Sequence, residues 1–132
     1  MAKTHKTTEI LLNDGGAPGR ILPFIAGSTI YAGDPLQLTA ADEQVDAVTI
    51  SGARVLGVAL TAATSGNVVN VISGRGILLN AWVSGTAATA GTQLEARGTI
   101  GVLGKAQSNG NATAICLEDA TATETLKKIM LL

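Results

Sequence analysis

The sequence predicts an all-β fold, a small β-barrel or sandwich built from two pseudo-symmetric β units and preceded by an extended N-terminal arm. Three observations predict it. Short runs rich in Val, Ile and Leu recur between clusters of Gly, Ser, Asn and Asp; helical periodicity is weak in the Thr-rich, Gly-punctuated segments; and stretches 58 residues apart resemble one another. The 132 residues suffice for one ordinary domain. Apolar residues form 46% of the chain but aromatics only 2%, so the core must be filled by Ala, Val, Ile and Leu. Charged residues form 14%, below the ~25% usual in soluble domains, and 16 Gly against 3 Pro indicate tight turns rather than a linker. This composition excludes disorder over most of the chain.

Residues 1–18 read as an arm and hinge. Lys3, His5, Lys6, Glu9 and Asp14 are concentrated there, and Asp14-Gly15-Gly16-Ala17-Pro18-Gly19 is turn chemistry. Residues 19–132 read as the β domain, with strands expected in 21–25, 36–39, 48–50, 54–60, 68–72, 77–83, 99–103, 114–117 and 126–132. A helix over 119–130 is the one competitor.

A shift of 58 places Phe24-Ile25-Ala26-Gly27-Ser28 on Trp82-Val83-Ser84-Gly85-Thr86, and Ala32-Gly33-Asp34-Pro35-Leu36 on Ala90-Gly91-Thr92-Gln93-Leu94. A shift of 57 places Leu60-Thr61-Ala62-Ala63-Thr64 on Leu117-Glu118-Asp119-Ala120-Thr121, and Val69 and Ile72 on Leu126 and Ile129. Two units, about 19–75 and 76–132, are therefore expected, each too small to bury its own apolar face. Phe24 and Trp82 should occupy equivalent places, and the carboxyl end should be a strand with Leu126, Ile129 and Leu131 facing inward.

Catalytic chemistry is thin. His5 is the only histidine and lies in the arm, where nothing holds a second group beside it. Cys116, between Ile115 and Leu117, reads as a small buried hydrophobe. Asp42, Glu43 and Asp46 fit no Ca²⁺ loop, and Glu118 and Asp119 are neighbours that a strand would point to opposite faces. Gly98-Thr99-Ile100-Gly101-Val102-Leu103-Gly104-Lys105 fails as a phosphate loop, because Ala106 stands where a hydroxyl is needed. Threonines 121, 123 and 125 do not repeat in register as an ice-binding face would require. No enzyme, cofactor or metal site is expected.

Nine basic residues are scattered against ten acidic ones, without the basic patch that nucleic acid requires. No apolar run approaches the ~18 residues of a membrane helix, and the start lacks a secretory pattern. The single cysteine forms no internal disulfide, so synthesis and folding in a cytoplasm is the simplest expectation. A small β domain with an arm binds another surface rather than transforming a molecule.

The stretches Ala32-Gly33-Asp34-Pro35-Leu36-Gln37-Leu38, Val55-Leu56-Gly57-Val58-Ala59-Leu60, Ala62-Ala63-Thr64-Ser65-Gly66 and Val69-Asn70-Val71 resemble the decoration, or cement, proteins of tailed-bacteriophage capsids. The pattern extends over about 19–132. The resemblance implies a virion protein on the capsid surface, often a homotrimer at local threefold positions, whose arm orders against the major capsid protein. An extended arm of about 19 residues reaches roughly 60 Å, against a radius of gyration of roughly 14 Å for a domain of this length. On that reading Lys3, His5 and Lys6 meet an acidic capsid surface, while Thr7, Thr8, Ile10, Leu11 and Leu12 add as a strand to an exposed sheet edge. Two alternatives remain open: another virion component, of the tail tube or head-completion kind, and a carbohydrate-binding module, for which only Phe24, Tyr31 and Trp82 are available as aromatics.

Overall fold

The computed structural model describes residues 10–12, 20–49, 54–84, 89–97, 102–106, 112–119 and 125–132. Every regular element among them is a strand. In chain order these are β1 (Ile10–Leu12), β2 (Arg20–Ala26), β3 (Pro35–Leu38), β4 (Gln44–Ala47), β5 (Gly57–Ala59), β6 (Val68–Ser73), β7 (Leu78–Val83), β8 (Gln93–Arg97), β9 (Val102–Lys105), β10 (Ala114–Cys116) and β11 (Thr125–Leu131). Strands β2 to β6 close a barrel in the order β2-β4-β3-β5-β6. Strands β7 to β11 form the second sheet, whose order β1-β7-β11-β10-β8-β9 is joined into a ring by the parallel pairing of β7 with β9. The carboxyl end is strand, not helix, with Ile129 and Leu131 buried and Leu126 half-buried.

The two sheets repeat one topology. In each, the first strand pairs antiparallel with the fifth and parallel with the third, the second pairs with the third and fourth, and the fourth pairs with the fifth. The turns repeat as well. Gly33 (φ 92°) and Gly91 (φ 89°) hold the same left-handed position. Gly33 donates to the Ala59 carbonyl at 2.8 Å and Gly91 to the Cys116 carbonyl at 2.7 Å.

Strand register corrects the residue-level alignment. The pair Leu22↔Val71 in the first barrel corresponds to Leu79↔Ile129 in the second, and Ala26↔Val45 corresponds to Val83↔Leu103. Strand β2 therefore maps onto β7 at a shift of 57, not 58, and β6 maps onto β11 at 58, not 57. Trp82 is the counterpart of Ile25, and Phe24 is the counterpart of Ala81. The expected equivalence of Phe24 and Trp82 fails by one residue, as does that of Val69 and Ile72 with Leu126 and Ile129. Because side chains alternate faces along a strand, a one-residue slip puts them on opposite faces. For Phe24 and Trp82 the cause is a turn one residue longer in the second unit, the segment from Val83 to Gly91 corresponding to that from Ala26 to Gly33; for Val69 and Ile72 it is a second extra residue between Cys116 and Ile129, which correspond to Ala59 and Val71. A comparison without gaps cannot contain either residue.

Core composition follows the pleat. Ala26, Ile30, Leu36, Val45, Ala59, Val69 and Val71 fill the first barrel, with Phe24 packed against them. The second core contains Leu79, Ala81, Val83, Leu94, Leu103, Ala114, Cys116, Ile129 and Leu131, and it also takes in Val58 and Ile72 of the first barrel. Those two point away from Ala59 and Val71, their neighbours in sequence. The outer face of β5 and β6 is thus covered by the second unit, as expected for units too small to stand alone. Trp82 adds to the join, donating from Nε1 to the Ala32 carbonyl at 2.9 Å and from its backbone N–H to the Gly33 carbonyl at 3.0 Å.

Candidate docking surface

The sequence placed its binding residues in the arm. Lys3, His5, Lys6, Thr7 and Thr8 lie outside the described residues. Strand addition by Ile10 to Leu12 takes place within the chain: β1 pairs antiparallel with β7, Ile10 opposite Leu79 and Leu12 opposite Leu78, with an irregularity between them. The arm is therefore rooted on the second sheet, close to the junction of the chain's two units.

The edge that β1 occupies has a counterpart in the first barrel. By the register above, Leu78 and Leu79 correspond to Ile21 and Leu22 of β2. There the outcome differs sharply. Leu79 is completely buried, whereas Ile21 is 51% and Leu22 46% exposed. The side of β2 facing β4 is paired only at its end, through Ile25↔Gln44 and Ala26↔Val45. Beyond those pairs the segment from Arg20 to Phe24 has no partner on that side among the described residues. Ile25 and its cross-strand neighbour Val68 extend the exposed apolar surface, at 36% and 57%.

Pro23 was the available sequence signal. A proline within a strand lacks the N–H a ladder needs, so it marks an edge strand. Hydrogen bonding fixes which edge. Ile25 and Gly27 donate toward β4, to the Glu43 and Val45 carbonyls, while Ala26 donates the other way, to Asn67. By alternation, the Ile21 N–H and the donor-less nitrogen of Pro23 face the open side.

The remaining candidates have structural partners. Cys116 is buried, its Sγ donates to the Glu118 carbonyl at 2.7 Å, and desolvation, with smaller contributions from the Glu118 and Asp119 carboxylates, pushes its thiol pKa up. Glu118 accepts the Lys128 N–H of β11 at 2.8 Å and Asp119 accepts the N–H of Ala90, in the turn before β8, at 2.8 Å, so one carboxylate ties its loop to a strand and the other to a turn. Asp46 accepts from Ser28 at 3.0 Å beside the Gly27 turn. Glu95 is buried on β8, its Oε2 lies 3.7 Å from Arg97 Nη1, and its Oε1 has no hydrogen-bond partner among the described residues. The residues Val102 to Lys105 of the glycine-rich stretch form β9, and Arg97 reaches over Gly104 to the Lys105 carbonyl. Among the described residues no three His, Cys, Asp or Glu side chains could hold a metal ion. A shallow, open hollow beside β6 is lined by Ala62, Ala63, Thr64, Asn67 and Val68, none of them titratable.

The architecture is that of a tandem five-stranded barrel protein with a strand-anchored amino-terminal segment. Among solved structures it is similar to the head fiber gp8.5 N base of bacteriophage phi29, with a TM-score of 0.66 and 15% identity, over 86% of this chain and 94% of that one. No family of proteins matches the sequence, nor does any curated protein. The likeness is one of fold, over nearly the whole of both chains.

Proposed function

We propose that this chain is a structural virion protein of a tailed phage, which binds the outside of the capsid and stabilises the expanded shell by bridging subunits of the major capsid protein. It acts without catalysis, cofactor or metal. The observation that carries this reading is the tandem-barrel fold shared with a phage head-fibre base across most of both chains. The sequence resemblance to decoration proteins supports it independently. Residues upstream of β1, with Lys3, His5, Lys6, Thr7 and Thr8, make the capsid contact, and β1 holds their root on β7. On the shell the protein is a homotrimer, so that several weak contacts act together.

The test mixes expanded, undecorated shells with the full chain, sediments the shells, and records the bound protein and the shell's disruption temperature. Binding with a raised disruption temperature is expected, and Lys3→Glu with Lys6→Glu should weaken it. No co-sedimentation overturns the reading. A second reading, the base of a projecting head fibre, is favoured by the structural neighbour, which is itself a phage head fiber base. Electron micrographs separate the two: a projecting fibre that depends on this chain identifies a base, and a uniform coat identifies a decoration protein.

A further inference from the structure

The junction between the two units is heterologous, because each unit contributes a different surface to it. The first unit offers the outward side chains of β5, β6 and the residue after β5. Val58 and Ile72 are cross-strand partners, completely buried in the cluster that fills the second unit, and Leu60 packs against the same cluster. The second unit receives them with that cluster, Leu79 included, and with Trp82, which bonds to the Ala32 and Gly33 carbonyls. In a head-to-tail contact between two units of one topology, each kind of surface exists twice but is used once.

Strand register locates the unused offering surface on the second unit. The pair Val58↔Ile72 corresponds to Ile115↔Met130, and Leu60 corresponds to Leu117. The hydrogen bonds around these positions repeat as well. The Leu60 N–H donates to the Asn70 carbonyl at 2.8 Å, and the Leu117 N–H to the Lys128 carbonyl at 3.0 Å. The Asn70 N–H donates to the Thr61 hydroxyl at 3.2 Å, and the Lys128 N–H to the Glu118 carboxylate at 2.8 Å. An outward strand position that faces only water ordinarily takes a polar residue, yet all three positions are apolar in the second unit as in the first. Ile115 and Met130 are half-buried, and Leu117 is 37% exposed. The receiving surface recurs on the first unit at Leu22 and Ile25, the counterparts of Leu79 and Trp82, which are 46% and 36% exposed. We propose that Ile115, Leu117 and Met130 form an interface through which copies of this chain join head to tail: they seat on the first unit of a second copy as Val58, Leu60 and Ile72 seat on the second unit of their own.

What covers such a triplet is visible within the chain itself: a five-stranded barrel of the same topology. A second copy carries one. The contact between copies is weaker than the junction within one. Ile25 lacks the indole N–H of Trp82, and its backbone N–H goes to the Glu43 carbonyl instead. Arg20 brings an exposed charge to the place where the second unit has the buried Ile77. Association therefore depends on concentration and is strongest where copies are crowded on one surface. It needs no shell protein, so it goes beyond the function proposed above and is measured without shells.

The test is sedimentation equilibrium of the full chain over a range of concentrations, with one variant blocked at each end. Leu117→Glu with Met130→Glu blocks the offering face, and Leu22→Glu blocks the receiving one. Leu117→Glu alone serves if the double variant does not fold, since that side chain is already exposed. Circular dichroism matching the wild type shows that lost association is not lost folding. Expected are a wild-type mass that rises above one chain with concentration and a single-chain mass for each variant alone. An equimolar mixture of the two variants should give a one-to-one complex that grows no further, because only one intact pair of ends remains. Wild-type protein that stays a single chain at its highest concentration overturns the proposal, as does a mixture that forms no complex. So does association that survives Leu22→Glu and is lost only in the other variant, which would make the contact a symmetric one between two Ile115–Met130 faces. Failed shell co-sedimentation alongside the expected masses refutes the capsid reading and leaves the interface in place.

Discussion

Trp82 joins the two barrels by chemistry that its counterpart, Ile25, cannot supply. Its ring is buried and its Nε1 satisfies the Ala32 carbonyl at 2.9 Å. Trp82→Ala should cost about 3 to 5 kcal/mol, and Trp82→Phe, which keeps an aromatic body but orphans the carbonyl, about 1 to 3 kcal/mol. Urea unfolding of the two variants checks the order; equal losses would mean the hydrogen bond contributes nothing. Cys116 gives a second prediction. Because burial raises its thiol pKa, the unfolded chain loses the proton first as pH rises, at the ordinary thiol value of about 8.5. The folded chain keeps it to higher pH, so this group's contribution is intact below that value and falls from there up to the folded pKa. Alkylation of Cys116 should be slow at pH 8 in the folded protein and fast in denaturant, as read by mass spectrometry.

At the scale of elements, β1 decides whether the amino-terminal segment is an appendage or part of the fold. Pairing with β7 covers the backbone beside Leu78 and the buried Leu79. A chain starting at Asn13 should therefore lose about 1 to 3 kcal/mol relative to one starting at Glu9, from forfeited backbone hydrogen bonds. Denaturant midpoints of the two truncations measure it, and identical midpoints would show that β1 adds nothing to the domain. The elements differ in how legible they are. Strands β2, β3, β6, β7, β10 and β11 are legible as β-branched runs between turn residues, and the duplication implies that the two units share one topology without saying which. Strands β4 and β8 are not. Gln44-Val45-Asp46-Ala47 carries one inward apolar side chain, and Gln93-Leu94-Glu95-Ala96-Arg97 is made of residues common in helices and buries a carboxylate. The strand expected at 48–50 is not found at Val48 and Thr49, which follow the end of β4 with Val48 buried, and residue 50 lies outside the described residues. The arm's apolar run is visible in the sequence, but its partner is not, because pairing between β1 and β7 spans more than sixty residues and leaves no local trace. The open edge was signalled by Pro23 alone.

At the scale of the molecule, the question is whether two barrels of one topology unfold as two objects or one. Their sharing of a core argues for one. Val58 and Ile72 belong to strands of the first barrel, yet they are completely buried in the cluster that fills the second. Gly57 reinforces the closeness of packing beneath them: a Cβ there would lie 2.5 Å from the Ile72 carbonyl oxygen, whereas the equivalent position in the second barrel is Ala114. The two units are therefore not interchangeable, although they share a topology. Separating them would expose Val58, Ile72 and Trp82 together, and units of this size are marginal even with an intact core. The expected result is a single transition in which Trp82 fluorescence, reporting the junction, and far-UV circular dichroism, reporting all strands, coincide in urea. A fragment of residues 19–75 should not fold cooperatively alone. Should fluorescence change well before dichroism, the junction would open while both barrels persist, and the chain would be two tethered domains rather than one rigid body able to transmit force between its contacts.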